Sequence, residues 1–166
     1  MAINQQYPIL NGIAPSWADV KIECSIYDGS LVEMVDIQAI NTSRSLELGT
    51  QRGASGGRVM RRTVGQGDQE ASWNLYRTGY QKLIRNLASV APTRGNERLI
   101  SLVHFDIQYQ YSPPGSVEIY ERKILGCRVI GDTMNDTEGS DAQQVEVPLS
   151  CVKIVDVVDG VEIVLI

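Results

Sequence analysis

The sequence predicts a mainly β protein: a two-sheet β-sandwich or barrel of antiparallel strands, with one flanking α-helix and a long arm between two strands. Three observations carry this. Apolar and polar residues alternate at period two in segment after segment. A helical period of 3.6 occurs once, over residues 78–90. Turn dipeptides and Gly/Pro breakers separate the alternating segments at short intervals. At 166 residues and 43% hydrophobic content, the chain suits a single domain spanning 1–166. A domain of that size buries roughly two-thirds of its unfolded surface.

Taken in order, residues 1–15 hold Pro8 and Pro15 with little periodicity, and are expected as an N-terminal tail that packs loosely or lies on a neighbour. Residues 17–27 (WADVKIECSIY) alternate cleanly and predict a strand with one buried face. Asp28-Gly29 is a hairpin dipeptide, so residues 32–40 (VEMVDIQAI) should return antiparallel. In that strand Val35, Ile37 and Ala39 are expected on one face and Asp36, Gln38 and Ile40 on the other. Residues 68–76 (DQEASWNLY) alternate again, with Ala71, Trp73 and Leu75 opposite Glu70, Ser72 and Asn74. The helix follows over 78–90: Tyr80, Leu83, Ile84 and Leu87 form its apolar stripe, Thr78 is its expected N-cap, and Pro92 lies just past its end.

After a loop at 93–97, residues 98–111 read as one long strand, with Val103, Phe105, Ile107, Tyr109 and Tyr111 facing one way and His104, Asp106, Gln108 and Gln110 the other. SPPG at 112–115 is a breaker and 116–130 the returning strand. Residues 131–142 (GDTMNDTEGSDA) form an acidic loop with four carboxylates and no base. A further strand at 143–154 and a terminal one at 158–166, after the Asp159-Gly160 turn, complete about seven strands.

Residues 41–67 stand apart. They hold six glycines and five arginines (44, 52, 58, 61, 62) against one acid, Glu47, a local charge of +4 in a chain of −5. The remainder therefore carries −9, and a basic, glycine-rich arm projects from an acidic body. An arm of this length inside a small domain predicts a functional or partner-binding element. Its glycines read as freedom to order on assembly.

No apolar run approaches the roughly 20 residues that cross a bilayer, and the start lacks the basic and apolar regions of a signal peptide. The expectation is a protein made and folded in a cytoplasm, without a membrane partner. The acidic balance argues against tight nucleic-acid binding by the body, and suits a surface that a polyanion passes without sticking.

Cys24, Cys127 and Cys151 each fall in phase with the apolar face of a strand, which reads as three buried thiols. The alternative is a disulfide between subunits, since an odd count leaves one partner outside the chain. The spacings match no zinc site, so neither a metal nor a cofactor is expected. The single histidine, His104, shares a face with Asp106 but has no nucleophile to complete a triad. GASGG at 53–57 is no phosphate loop, because no helix follows it. The acidic loop lacks the ligand spacing of an EF-hand. No catalytic constellation points to an enzyme. A monomeric recognition sandwich would need surface aromatics, and Trp17 and Trp73 both fall on apolar faces.

What remains is architectural: several strands with one polar face each, a basic arm and an acidic loop. Such strands suit subunits whose sheet edges pair across a closed ring, and unlike charges on two faces suit stacking of rings. Residues 123–155 (KILGCRVIGDTMNDTEGSDAQQVEVPLSCVKIV), followed by a short terminal hairpin, resemble the tail tube proteins of tailed phages, particularly contractile ones. The central strand–arm–strand unit followed by one helix resembles them too. Inner tubes of type VI secretion and of phage-derived injection particles are similar in fold. The resemblance implies hexameric rings, stacked into a hollow virion tail tube through which DNA and a tape-measure protein pass. It implies assembly in the host cytoplasm, with sheath, baseplate and tail-terminator proteins as partners. On this chain it makes 41–67 the ring-to-ring arm, with Arg52, Arg58, Arg61 and Arg62 meeting Asp132, Asp136, Glu138 and Asp141 of the next ring. It turns Asp36, Gln38, Glu70, Ser72 and Asn74 to the lumen, where the lack of Lys and Arg would let DNA leave freely.

Overall fold

Alternating β-branched and polar residues build two antiparallel sheets that enclose one core. The computed structural model describes residues 20–26, 30–34, 36–52, 59–111, 119–134 and 143–165. The strands are β1 (Val20–Ile26), β2 (Ser30–Glu33), β3 (Ile37–Arg52), β4 (Val59–Tyr76), β5 (Thr93–Arg94), β6 (Glu97–Arg98), β7 (Phe105–Tyr111), β8 (Tyr120–Val129), β9 (Thr133–Met134), β10 (Gln144–Ser150), β11 (Lys153–Val158) and β12 (Val161–Val164). The first sheet runs β2-β1-β7-β8-β11-β12, and the second is β3-β4-β10 with β9 on β10. β5 and β6 form a separate small hairpin. Among the described residues no helix is long and apolar enough to cross a membrane.

β8 belongs to both sheets. Its first half pairs with β7 and β11, while Arg128 and Val129 pair with Ser150 and Leu149 of β10. The corner is Gly126, at φ +65°, where the β7–β8 register shifts. This backbone conformation favours glycine, and a Cβ there would lie 2.7 Å from Val152 Cγ2. Asp106 caps the corner by accepting from Gly126 N at 2.7 Å.

The core between the sheets is aromatic and aliphatic. Trp73, Leu75, Phe105, Ile107, Ile124, Val145, Val147 and Ile154 are fully or almost fully buried. The Trp73 and Phe105 rings meet at 5.8 Å between centroids, tilted by 36°, a favourable arrangement of quadrupoles. The helix α1 (Arg77–Val90) closes one end, burying Gly79, Leu83 and Leu87. Tyr80 and Ile84 are half-buried beside them. Gly79 is required by closeness: a Cβ would sit 2.7 Å from both Asp36 Cβ and Asp36 O.

Several sequence expectations need correction. The helix begins one residue early; Tyr76 holds the N-cap position without a side-chain bond, so Thr78 is not the cap. The long strand expected from 98 to 111 is broken by a 3-10 turn at Ile100–Leu102. The strand expected over 143–154 is two, because the chain leaves one sheet after Ser150 and joins the other at Lys153. The segment 41–67 is not a free arm, since both flanking strands run on into it. Arg44↔Gln69, Leu48↔Val64, Thr50↔Arg62 and Arg52↔Val59 are paired, with bulges after Leu46 and Gln51. Thr, Ser, Leu and Gln between the glycines satisfy their backbone groups by laddering, which outweighs the freedom the glycines offer.

The expected faces of β3 are also corrected. Ile37 opposes Leu75, but Ala39 opposes Asn74, so Gln38 is the extra residue of a bulge. A one-residue insertion exchanges the faces of all that follows. Ile40 consequently packs against the core, opposite Trp73, and Ala39 joins the polar side. The N-terminal tail, the Asp28-Gly29 turn and Val35 lie outside the described residues.

Candidate functional site

The feature that stands out is the outward face of the second sheet. Register puts its side chains in three rows: Glu146, Asn74 and Ala39; Pro148, Ser72 and Asn41; Ser150, Glu70 and Ser43. Each row's neighbours on the same strands point inward as Val145, Val147, Leu149, Leu75, Trp73 and Ala71. The alternation that makes the core therefore makes this face. It carries two carboxylates, amides and hydroxyls, and no Lys or Arg within these three rows. Asn41 Nδ2 donates across it to Ser72 Oγ at 3.5 Å. At its margin, Arg128 of β8 donates from Nε to the Nε2 of exposed His104 at 3.0 Å, so the lone imidazole serves as an acceptor. Asp106, its expected companion, is occupied by Gly126.

Of the residues expected on this face, Glu70, Ser72 and Asn74 share it. Gln38 is exposed at the bulge. Asp36 sits where sheet meets helix, its carboxylate accepting from Lys82 Nζ at 2.7 Å and its carbonyl from Tyr76 N at 3.1 Å. Asp132 is exposed but accepts from Tyr80 Oη at 3.0 Å within its own chain. Burial, then the Asp132 hydrogen bond and charge, push the Tyr80 phenol up to about 12. Arg52, Arg61 and Arg62 lie in the far part of the β3–β4 hairpin. Arg58, Asp136, Glu138 and Asp141 fall outside the described residues.

The root of that hairpin is held by a charge cluster that the sequence reading did not single out. Asp156 of β11 accepts from Arg44 of β3 and from Arg122 of β8. Arg122 also donates to Thr42 Oγ1 at 2.8 Å, and Gln69 Oε1 accepts from Ile154 N. Burial works to raise the Asp156 pKa, but hydrogen bonds and charge from the two arginines outweigh it and hold the carboxyl below its ordinary range. One of the five arginines credited to the arm is thus neutralised at its base. The available signal was phase: Arg44, Arg122 and Asp156 each fall in step with core residues Ile40, Ile124 and Ile154, where a charge needs a partner.

All three cysteines are free. Burial, then the Asp106 charge, raises the Cys24 thiol to about 12. Cys127 is raised well above the thiol range, chiefly by burial, and both are inaccessible. Cys151, half-buried, directs its thiol at Gln69 O. Among the described residues no group of three His, Cys, Asp or Glu side chains is placed to hold a metal.

No family model matches the sequence, and no curated protein does. Solved structures do match. A chain in the anti-feeding prophage tube-terminating cap superposes with a TM-score of 0.62 at 10% identity, covering 95% of this chain and 96% of that one. A chain in the sheath–tube complex of the PVC extracellular contractile injection system, in its extended state, gives 0.56 at 12% identity, covering 83% and 88%. The SPP1 tail tube gives 0.60 at 13%, covering 89% and 82%. The likeness is one of fold: this chain has the tail-tube fold.

Proposed function

We propose that this chain is a structural subunit that assembles into stacked hexameric rings, forming the hollow inner tube of a phage tail or of a phage-derived injection particle. The observation that carries the reading is the outward face of β10, β4 and β3. Three strands long and three residues deep, it is polar, weakly acidic and free of Lys and Arg. Turned to a lumen, such a wall repels phosphates and lets DNA and a tape-measure protein slide. β3 pairs only with β4 among the described residues, so its other edge is free to continue the sheet into a neighbouring copy. One heterologous contact repeated around an axis closes a ring and removes the open edge.

In this reading the β3–β4 hairpin reaches the next ring. Arg52, Arg58, Arg61 and Arg62 meet the acidic segment that contains Asp132, Asp136, Glu138 and Asp141. Such pairs are individually weak, about 0–1 kcal/mol, but act in many copies. Sheath, baseplate and terminator proteins are the partners the fold relatives suggest, and the place of action is a particle tail assembled in the host cytoplasm. Negative-stain microscopy with sedimentation tests the proposal. Long tubes of uniform width are expected; a chain that stays monomeric at every concentration, even with tape-measure segment added, overturns it. Changing Arg58, Arg61 and Arg62 together to Glu should leave folded protomers or single rings without tubes.

A further inference from the structure

β8 meets the returning chain twice in one register. Val129 and Arg128 pair with Leu149 and Ser150 of β10, and Leu125 and Ile124 pair with Lys153 and Ile154 of β11. Carried across the gap between these two ladders, that register sets Gly126 opposite Val152 and Cys127 opposite Cys151. Contact bears out the first match, since a Cβ on Gly126 would lie 2.7 Å from Val152 Cγ2. The second match has the phase that a disulfide needs. Ile130 N donates to Pro148 O at 3.2 Å, which makes Ile130 and Pro148 a hydrogen-bonded pair. By alternation, Cys127 and Cys151 fall at a non-hydrogen-bonded pair. Cα atoms in such a pair lie about 4.5 Å apart, within the roughly 4.4–6.8 Å that a disulfide spans. Both side chains turn to the same side: Cys127 is buried in the core, and Cys151 packs half-buried against it. After burial itself, charge on Cys151 is what raises the Cys127 thiol most, as closeness requires.

We propose that Cys127 and Cys151 are a redox-active pair, which an oxidant of the small-disulfide class converts to an intrachain, cross-strand disulfide. Cys24 has no part in it. It lies on β1 opposite Ile107, two strands from β8, roughly 10 Å away at the usual spacing and beyond the reach of a disulfide. In the reduced chain each thiol of the pair has its own weak acceptor. Cys127 donates to Ile124 O at 3.5 Å and Cys151 to Gln69 O at 3.4 Å. Half-buried Cys151 is the entry point. Its thiol gives a proton to solvent, and the thiolate attacks one sulfur of a small disulfide such as oxidised glutathione. The S–S bond breaks, and one small thiolate leaves and takes up a proton. Cys127 then loses its proton, attacks the Cys151 sulfur of the mixed disulfide and expels the second small thiol. Two protein thiols are oxidised, and one small disulfide is reduced to two thiols. Burial pushes both protein thiols up, so closure is slow at neutral pH and quickens as pH rises. The bond ties β8 to the crossover where the chain passes from β10 to β11. It thereby pins the two sheets together beside the Gly126 corner.

The test uses the soluble full-length chain, incubated with oxidised glutathione at mildly alkaline pH, then alkylated in denaturant and digested with trypsin. The expected product is a monomer lighter by two hydrogens, with residues 124–128 linked to residues 129–153 and Cys24 alone alkylated. Cys151→Ser and Cys127→Ala should each abolish the link, and Cys24→Ser should leave it in place. The oxidised monomer should unfold at a higher denaturant concentration than the reduced one, and dithiothreitol should reverse the difference. The link itself is read on the unaltered chain, so the result stands even where a variant fails to fold. Three alkylatable thiols after prolonged oxidation of the folded chain overturn the proposal. So does a link that includes Cys24, or a reaction that stops at a mixed disulfide on Cys151. Disulfide-linked dimers in place of the monomeric product overturn it too, and would favour a bond between subunits. None of these readouts depends on tube formation.

Discussion

Both sheets turn one face to the shared core and one away from it, and the two outward faces are built from different materials. On the first sheet the outward residues are laced by ion pairs: Lys21–Glu23, Lys123–Glu121 and Lys123–Glu162. On the second sheet Glu70 and Glu146 stand among Ser, Asn and Pro with no cation in the same three rows. Burial patterns cannot distinguish these faces, since each strand alternates in the same way. Charge does. A balanced, cross-linked face suits contact with water or protein, whereas an unbalanced and weakly acidic one suits a surface that must not hold a polyanion.

The sharpest way to break the comparison is to break the corner that keeps the two faces apart. Gly126→Val forces a β-branched residue into φ +65° and into Val152. It should lower stability by at least about 2–3 kcal/mol, measured by chemical denaturation. Next comes the bulge that decides which residues of β3 belong to the polar face. Ile40→Lys should cost roughly 2 kcal/mol by burying a charge against Trp73, while Ala39→Lys should stay within about 0.5 kcal/mol. A larger cost for Ala39→Lys than for Ile40→Lys would mean that Gln38 is not a bulge and the faces are reversed.

Asp156 joins the sheets through Arg44 and Arg122. Asp156→Asn should cost about 1–2 kcal/mol at neutral pH. The native carboxyl binds its proton more weakly than the unfolded one, so its contribution is present above the ordinary value of 3.8 and is lost as pH falls through the lower native value. Denaturation followed between neutral pH and pH 2 should therefore show the two chains converging in acid; parallel curves would exclude the clamp. The smallest effect on stability, and the most telling for function, is charge reversal on each face. Glu70→Lys and Glu162→Lys should each change stability by less than about 0.5 kcal/mol. Only Glu70→Lys should increase co-sedimentation of tubes with double-stranded DNA at low salt.

The β-sandwich class, the single helix and the core stripe of Val103, Phe105 and Ile107 were legible from the sequence alone, because period-two and 3.6 spacing follow directly from backbone geometry. The polar set Glu70, Ser72 and Asn74 was legible for the same reason. Alternation also hinted at misplaced charge, in that Asp156 interrupts an apolar strand, but its partners lie 34 and 112 residues away. Contacts that distant leave no periodic trace.

The rest was decided by tertiary structure. Whether 41–67 is loop or ladder depended on two strands finding each other's backbone groups, which outweighed glycine content and net charge. Whether Ile40 or Ala39 meets the core depended on one extra residue at Gln38, which a sequence pattern with no register cannot place. Gly126 is one of fifteen glycines. It became the joint between two sheets only because β8 had to serve both. Local sequence set what each strand could be; pairing across the sheets set which way it faced.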